Sequence, residues 1–215
     1  MKIKKLIITA VTITTLTYAG IGQVSAEKEE FSPTMQITKN LTTILPDKGE
    51  VVADSGENIS SYLLKKINKG HIALENGVEI GLCGEKTYLI TIGINNYKNI
   101  SPLKNAISDS KKIANKIESN CKNTKSYTLQ NANKKSIMNT LKSVVKKATT
   151  KDSVIFYFSG HGLMIQNRSY IIPINANYKK RYSLIDIDTI KNTLESKKIK
   201  SGLMIFDAGR SRPHI

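Results

Sequence analysis

The chain has 215 residues, 40% of them hydrophobic and 23% charged, ordinary usage that excludes a disordered chain, a multi-span membrane protein and a fibre. Two cysteines exclude a disulfide-dense scaffold and a four-cysteine zinc site, and three histidines without HExxH spacing point to no metal. The imbalance is in charge: 33 Lys and Arg against 17 Asp and Glu give +16.

Residues 1–26 read as a secretory signal peptide. Lys2, Lys4 and Lys5 form a positive start, a threonine-interrupted apolar run follows from Leu6 to Gly22, and Val24, Ser25 and Ala26 place small residues ahead of cleavage at Glu27. The run is too short and too dilute for a lasting anchor, and no later stretch suits a bilayer span. The mature protein is therefore expected to be secreted or periplasmic, with no membrane span. Export would place Cys83 and Cys121 in an oxidising compartment, where pairing is possible but not specified by the sequence.

Residues 27–86 read as an N-terminal extension. It carries a short amphipathic piece around Tyr62–Ile67 and a hairpin in which Asn76-Gly77 joins Ile72–Leu74 to Val78–Leu82. From residue 87 to 215 the pattern is regular. Tyr88–Ile94 is almost continuously apolar, the mark of a strand buried on both faces. Ala106, Ile107, Ser110, Ile113, Ala114 and Ile117 recur at helical spacing, and Ser126–Leu129 reads as a short strand. A second helix carries Ile137, Met138, Leu141, Val144 and Val145 on one face. Then come the strand Ser153–Phe158, an extended piece Tyr170–Ile172, a helix with Ile187, Ile190 and Leu194, and the strand Leu203–Phe206. Strands alternating with helices predict a mainly parallel α/β sheet with helices on both faces. The many lysines between Asn105 and Thr150 suit solvated helix faces. With 6% aromatic residues and no nucleic-acid motif, no nucleic-acid partner is expected.

In such sheets chemistry sits beyond the carboxyl ends of the strands. Two strand ends carry unusual residues. Ser159-Gly160-His161-Gly162 presents a histidine between glycines, where a tight turn would free backbone N–H groups to face a substrate. Asp207-Ala208-Gly209-Arg210-Ser211 follows the last strand, and Asp207 also suits a cap on a following loop or helix.

These segments, with Ile90–Tyr97, Leu103–Asp109 and Tyr170–Pro173, lie in an order and spacing that resemble the caspase and metacaspase family of cysteine endopeptidases, the bacterial metacaspase-like branch above all. The resemblance covers roughly residues 86–211. It implies a three-layer α/β/α sandwich, C-terminally truncated, and proteolysis after Lys or Arg at the P1 position. By the same resemblance His161 is the catalytic histidine and the Gly162 N–H an oxyanion donor. Ser159 and Asp207 line the pocket for the basic side chain, where a carboxylate favours a cation.

The nucleophilic cysteine of the family belongs at the position of Gly209. Acyl transfer needs a side-chain nucleophile and glycine has none, so a pseudoenzyme is expected unless Gly209 replaces a cysteine by engineering or error. Cys83 and Cys121 read as structural rather than as substitutes. The alternative is a secreted interaction protein that keeps the fold alone. No cofactor is called for, and calcium dependence is left open by the resemblance. Asp109 is expected to act at the start of its helix, opposite the positive end of the dipole. The strand Leu203–Phe206 is expected at an open sheet edge, available for pairing with another chain.

Overall fold

The computed structural model describes residues 5–11, 59–73 and 79–210. The expected leader cleavage site, the Asn76-Gly77 turn and Ser211 lie outside them. A seven-stranded sheet forms the centre. Its main path runs β1 (Lys5–Val11), β10 (Ser201–Arg210), β7 (Ser153–Ile165), β5 (Thr87–Gly93) and β6 (Thr124–Gln130), while β8 (Arg168–Ile171) and β9 (Ile185–Asp186) attach beside β7. The strands β10, β7, β5 and β6 are mutually parallel, and β1 and β8 add antiparallel. All seven residues of β5 are buried, as a strand covered on both faces requires.

Side-chain alternation divides the core in two. On one face Leu89, Ile155, Tyr157, Leu203 and Ile205 meet α1 (Ile59–Lys66) and α2 (Ala106–Asn120) through Leu63, Ile113 and Ile117. On the other, Ile90, Ile92, Phe156, Phe158, Met204 and Phe206 meet α3 (Lys134–Lys147) and α4 (Ile187–Glu195) through Ile137, Leu141, Ile190 and Leu194. Apolar stripes at helical spacing make this burial possible, and local caps set the starts. The Asn133 side chain accepts the Ser136 N–H at 2.9 Å at the head of α3. Asp186 accepts from Asp188 N–H at 3.0 Å at the head of α4.

The described part of the extension, residues 59–73 and 79–86, holds more regular structure than its sequence suggests. After α1, β2 (Ile67–Asn68), β3 (His71–Ala73) and β4 (Glu79–Gly81) form a small antiparallel sheet. The β2–β3 turn is Lys69-Gly70, at φ 45° and 78°. Two successive positive φ values match a two-residue hairpin turn, a signal the sequence reading missed because Lys is an uncommon first residue there. A Cβ at Gly70 would lie 2.7 Å from Cys83 Sγ, so space as well as conformation demands glycine. Cys83 and Cys121 form a disulfide that ties the segment after β4 to the end of α2.

Three expectations are corrected. The strand ending at Phe158 continues through Ser159, Gly160, His161 and Gly162 to Ile165, so the glycines do not make a tight turn. The reason is that partners exist on both sides: β10 pairs with residues 153–162, and β8 returns along residues 162–165. Likewise Asp207 lies inside β10 and caps no helix. In the full chain the outer edge of β10, expected to be open, is paired with Lys5–Val11, within the segment read as the leader, in antiparallel register, Lys5 opposite Ala208; loss of that segment would open the edge. An apolar strand edge with free N–H and C=O groups is satisfied by any extended segment that reaches it.

Candidate functional site

The carboxyl ends of the sheet's parallel strands are staggered around His161. Gly93, the last residue of β5, is level with Ser159, so β7 runs on past its neighbour. The space beside this overhang is taken by the loop from Ile94 to Asn105, and that loop holds the histidine. The His161 backbone N–H donates to the Tyr97 hydroxyl oxygen at 2.7 Å. The two rings lie 4.7 Å apart and tilted by 57°. The His161 Nε2 is 2.9 Å from the Ser101 carbonyl oxygen. A carbonyl only accepts, so Nε2 carries the proton and Nδ1 is left as the basic nitrogen of the neutral ring. Burial pushes the Tyr97 hydroxyl well above the usual tyrosine range, against a smaller opposing effect of the His161 N–H. It therefore stays a neutral phenol.

Asparagines tie the loop to its neighbours. Asn131, in the left-handed region at φ 49°, accepts the N–H groups of Asn95 and Asn96 at 2.9 and 3.0 Å. Asn95 in turn accepts the Ile107 N–H at 3.1 Å, which satisfies an otherwise orphaned donor in the first turn of α2. Its amide also donates to the Lys104 carbonyl at 3.1 Å. None of Tyr97, Ser101, Asn95 and Asn131 was singled out as a site residue by sequence reasoning. The Asn95-Asn96 pair gave only a hint, as turn formers directly after a buried strand.

Gly160 needs its missing side chain for space. A Cβ there would collide with the Tyr97 hydroxyl and come within 2.6 Å of Phe158 Cζ. Glycine thus permits the backbone approach that places Tyr97 under His161. Gly162 lies opposite Ile171 in β8 and beside Arg210 in β10.

Gly209 is the register partner of His161 on the adjacent strand. Neighbouring strands are about 4.8 Å apart, so the position assigned to the nucleophile does stand next to the histidine. It carries no side chain. Both cysteines of the chain are consumed in the disulfide.

Ser159 and Asp207 are also register partners, and both are buried. They belong to a polar group on the α1/α2 face. The Asp207 carboxylate accepts from the Ser60 hydroxyl at 3.0 Å and from the Tyr157 hydroxyl at 3.4 Å. Burial raises the Tyr157 pKa well above its ordinary value; the negative charges of Asp207 and Asp109 add to the rise, while hydrogen bonds from Ser60 and Ser159 oppose it. Tyr157 is therefore a donor at any ordinary pH. Asp109 sits in the first turn of α2, as its dipole role requires, and its charge also reaches this group. So two carboxylates, two serines and a tyrosine converge there, beneath α1.

The caspase-domain family model matches residues 86–214. The chain belongs to the caspase family. No curated protein matches it. Among solved structures, a protein of Geobacter sulfurreducens is 14% identical with a TM-score of 0.45, over 53% of this chain and 47% of that one. The Drosophila initiator caspase Dronc is 15% identical with a TM-score of 0.42, over 53% of this chain and 46% of its own. The chain thus spans about half the length of the solved structures it matches. Within this caspase domain, the described residues hold no group of three or more His, Cys, Asp or Glu placed for a metal ion. No helix among them is long and apolar enough to cross a membrane.

Proposed function

We propose that this chain is an exported metacaspase-like pseudoenzyme that binds peptides through a Lys or Arg residue and does not cleave them. The observation that carries the reading is the pairing of His161 with Gly209: the histidine is held in a defined tautomer beside a residue that offers no nucleophile. Without a thiolate, covalent acyl transfer has no first step; removing the nucleophile of a comparable hydrolase lowers turnover by about 10⁶. What remains is the Asp207 carboxylate on the adjacent strand for a cation; Gly162, expected to offer its N–H to an oxyanion, is paired within the sheet between β8 and β10.

Asp207 is the charge partner of that cation and Ser159 its neighbour. Since Asp207 is enclosed, an ammonium reaching it takes the place of the Ser60 hydroxyl, and α1 must yield locally. An exposed ion pair is worth about 0–1 kcal/mol, whereas hydrogen bonds to a charged group shielded from water are worth about 1.5–3 kcal/mol. Selectivity for Lys and Arg over Asp at P1 is therefore expected to be about tenfold or more.

Calorimetric titration of the full chain with three peptides differing only in Lys, Arg or Asp at P1 tests this. Lys and Arg peptides are expected to bind, to weaken with salt and with Asp207→Asn, and to remain intact. Cleavage that survives Cys83→Ala and Cys121→Ala but is lost with His161→Ala would overturn the pseudoenzyme assignment. Equal affinity for all three peptides would remove the pocket and leave a protein that uses the fold alone for interaction.

A further inference from the structure

The two ends of the sheet differ in shape. At the carboxyl ends the strands are staggered, but at the amino ends four of them begin in one row. Thr124, Thr87, Ser153 and Ser201 are successive register partners across β6, β5, β7 and β10. Neighbouring strands are about 4.8 Å apart, so the row is about 15 Å wide and level. The segments that feed it are held at the same height. The Glu85 N–H donates to the Lys151 carbonyl and the Lys200 N–H to the Asp152 carbonyl, both at 2.9 Å. The Ser153 N–H donates to the Lys86 carbonyl at 3.0 Å. The last turn of α3 joins them, where Lys197 Nζ donates to the Lys146 carbonyl at 2.7 Å.

This platform gathers ammonium groups. Lys86, Lys146, Lys147, Lys151, Lys197 and Lys200 lie on it, each exposed or half-buried. Its carboxylates are Glu85, which faces Lys151 at 3.0 Å, and Asp152, which is buried and taken up by Thr149 and the Lys86 N–H. Lys197 and Lys200 donate to the neutral carbonyls of Lys146 and Cys83, which leave their charges uncompensated. The dipole of α3 accounts for Lys146 and Lys147 in its last turn, but not for the others. Every one of these cations is lysine, a point charge without the planar fork that reads a single phosphate. Tyr182, the one large apolar side chain exposed among the described residues, sits at the other end, against Lys134 in the first turn of α3.

We propose that this platform docks the protein, by charge alone, on an anionic phospholipid surface. A level row of point charges matches a planar field, whereas a nucleic-acid strand is held by a groove and stacking rings. The inference is independent of the peptide-binding reading. The platform lies at the far end of the strands from His161, so docking would leave the histidine end facing away from the lipid. Each lysine near such a surface contributes about fivefold in affinity.

The test sediments the full chain with phosphatidylcholine vesicles that contain or lack phosphatidylglycerol. Binding is expected only with phosphatidylglycerol. It should vanish as salt rises from about 0.1 M to about 1 M, where the Debye length falls from about 10 Å to about 3 Å. The triple variant Lys146→Gln, Lys147→Gln, Lys151→Gln should bind at least about tenfold more weakly. The variant Lys135→Gln, Lys179→Gln, Lys180→Gln removes the same charge from the opposite end and should weaken binding by less than about threefold. Equal losses in the two variants would mean net charge without a face, and would overturn the platform. So would binding only of a kind that persists on neutral vesicles and in salt, the mark of an apolar segment such as residues 6–22. Duplex DNA bound as tightly as the vesicles at equal phosphate concentration would overturn the choice of a planar partner. The wild-type chain gives a readout that needs no variant: spin-labelled lipid should broaden the amide signals of Lys86, Lys151 and Lys200 and spare those of residues 179–182. The reverse pattern would overturn the proposal.

Discussion

Breaking the Cys83–Cys121 disulfide is expected to lower the stability of the chain by about 4 kcal/mol. The bond closes a sequence separation of 38 residues. In the chain-entropy account, a loop of that length restricts the unfolded ensemble by roughly 13 cal/mol/K, or about 4 kcal/mol at room temperature. The native packing it joins is largely independent of the bond. Ile67, Ile72, Ile80 and Leu82 of the extension are buried in one cluster with Ile113 and Ile117 of α2. The extension should therefore remain docked on reduction, and the loss should appear in the unfolding equilibrium rather than as local release. Urea unfolding with and without reductant, followed by circular dichroism, measures it. For a chain of this size 4 kcal/mol corresponds to a fall in Tm of about 10 °C. The double variant Cys83→Ser, Cys121→Ser should match the reduced wild type, although Cys121 is buried and its hydroxyl replacement adds a small cost of its own. Titration of the unreduced, unfolded chain should find no free thiol. A reductant effect under about 1 kcal/mol, or free thiols in the oxidised protein, would refute the reasoning.

Acid should destabilise the fold through Asp152. Burial works against its charge, but the Thr149 N–H and hydroxyl, the Lys86 N–H and the Lys86 charge outweigh it and hold the carboxyl below the usual aspartate range. A depressed folded-state pKa contributes stability in full above the unfolded value near 4 and loses it as pH falls through and below that value; Asp152→Asn should flatten this part of the stability-against-pH curve measured by urea unfolding. Gly160→Ala is expected to cost about 1–3 kcal/mol by overpacking against Tyr97 and Phe158. It should also shift the His161 ring resonances in NMR, because Tyr97 must move; unchanged resonances would show that the Tyr97 contact does not position the ring.

Local pattern carried the architecture. The apolar run of β5, the helical spacing of Ile113 and Ile117 and of Ile137 and Leu141, and the order of strands and helices are each written within a dozen residues. They lead to an α/β sheet with helices on both faces because burial of one stripe or two faces is a local property of sequence. The family motifs were legible for the same reason. What only the tertiary structure decided are contacts between residues far apart in the chain. The Ser60–Asp207 hydrogen bond spans 147 positions, and the bond that sets the His161 tautomer spans 60. No periodicity encodes such pairs; they arise when packing stops strands at particular levels and brings loops over their ends. The continuation of β7 past Phe158 follows the same logic. Glycines at 160 and 162 read locally as a turn, yet pairing on both sides keeps the strand extended, and the close approach of Tyr97 explains why Gly160 is glycine. The two cysteines show it most simply, for their pairing depends on where α2 ends relative to β4, a distance set by the folded core and by nothing in either segment alone.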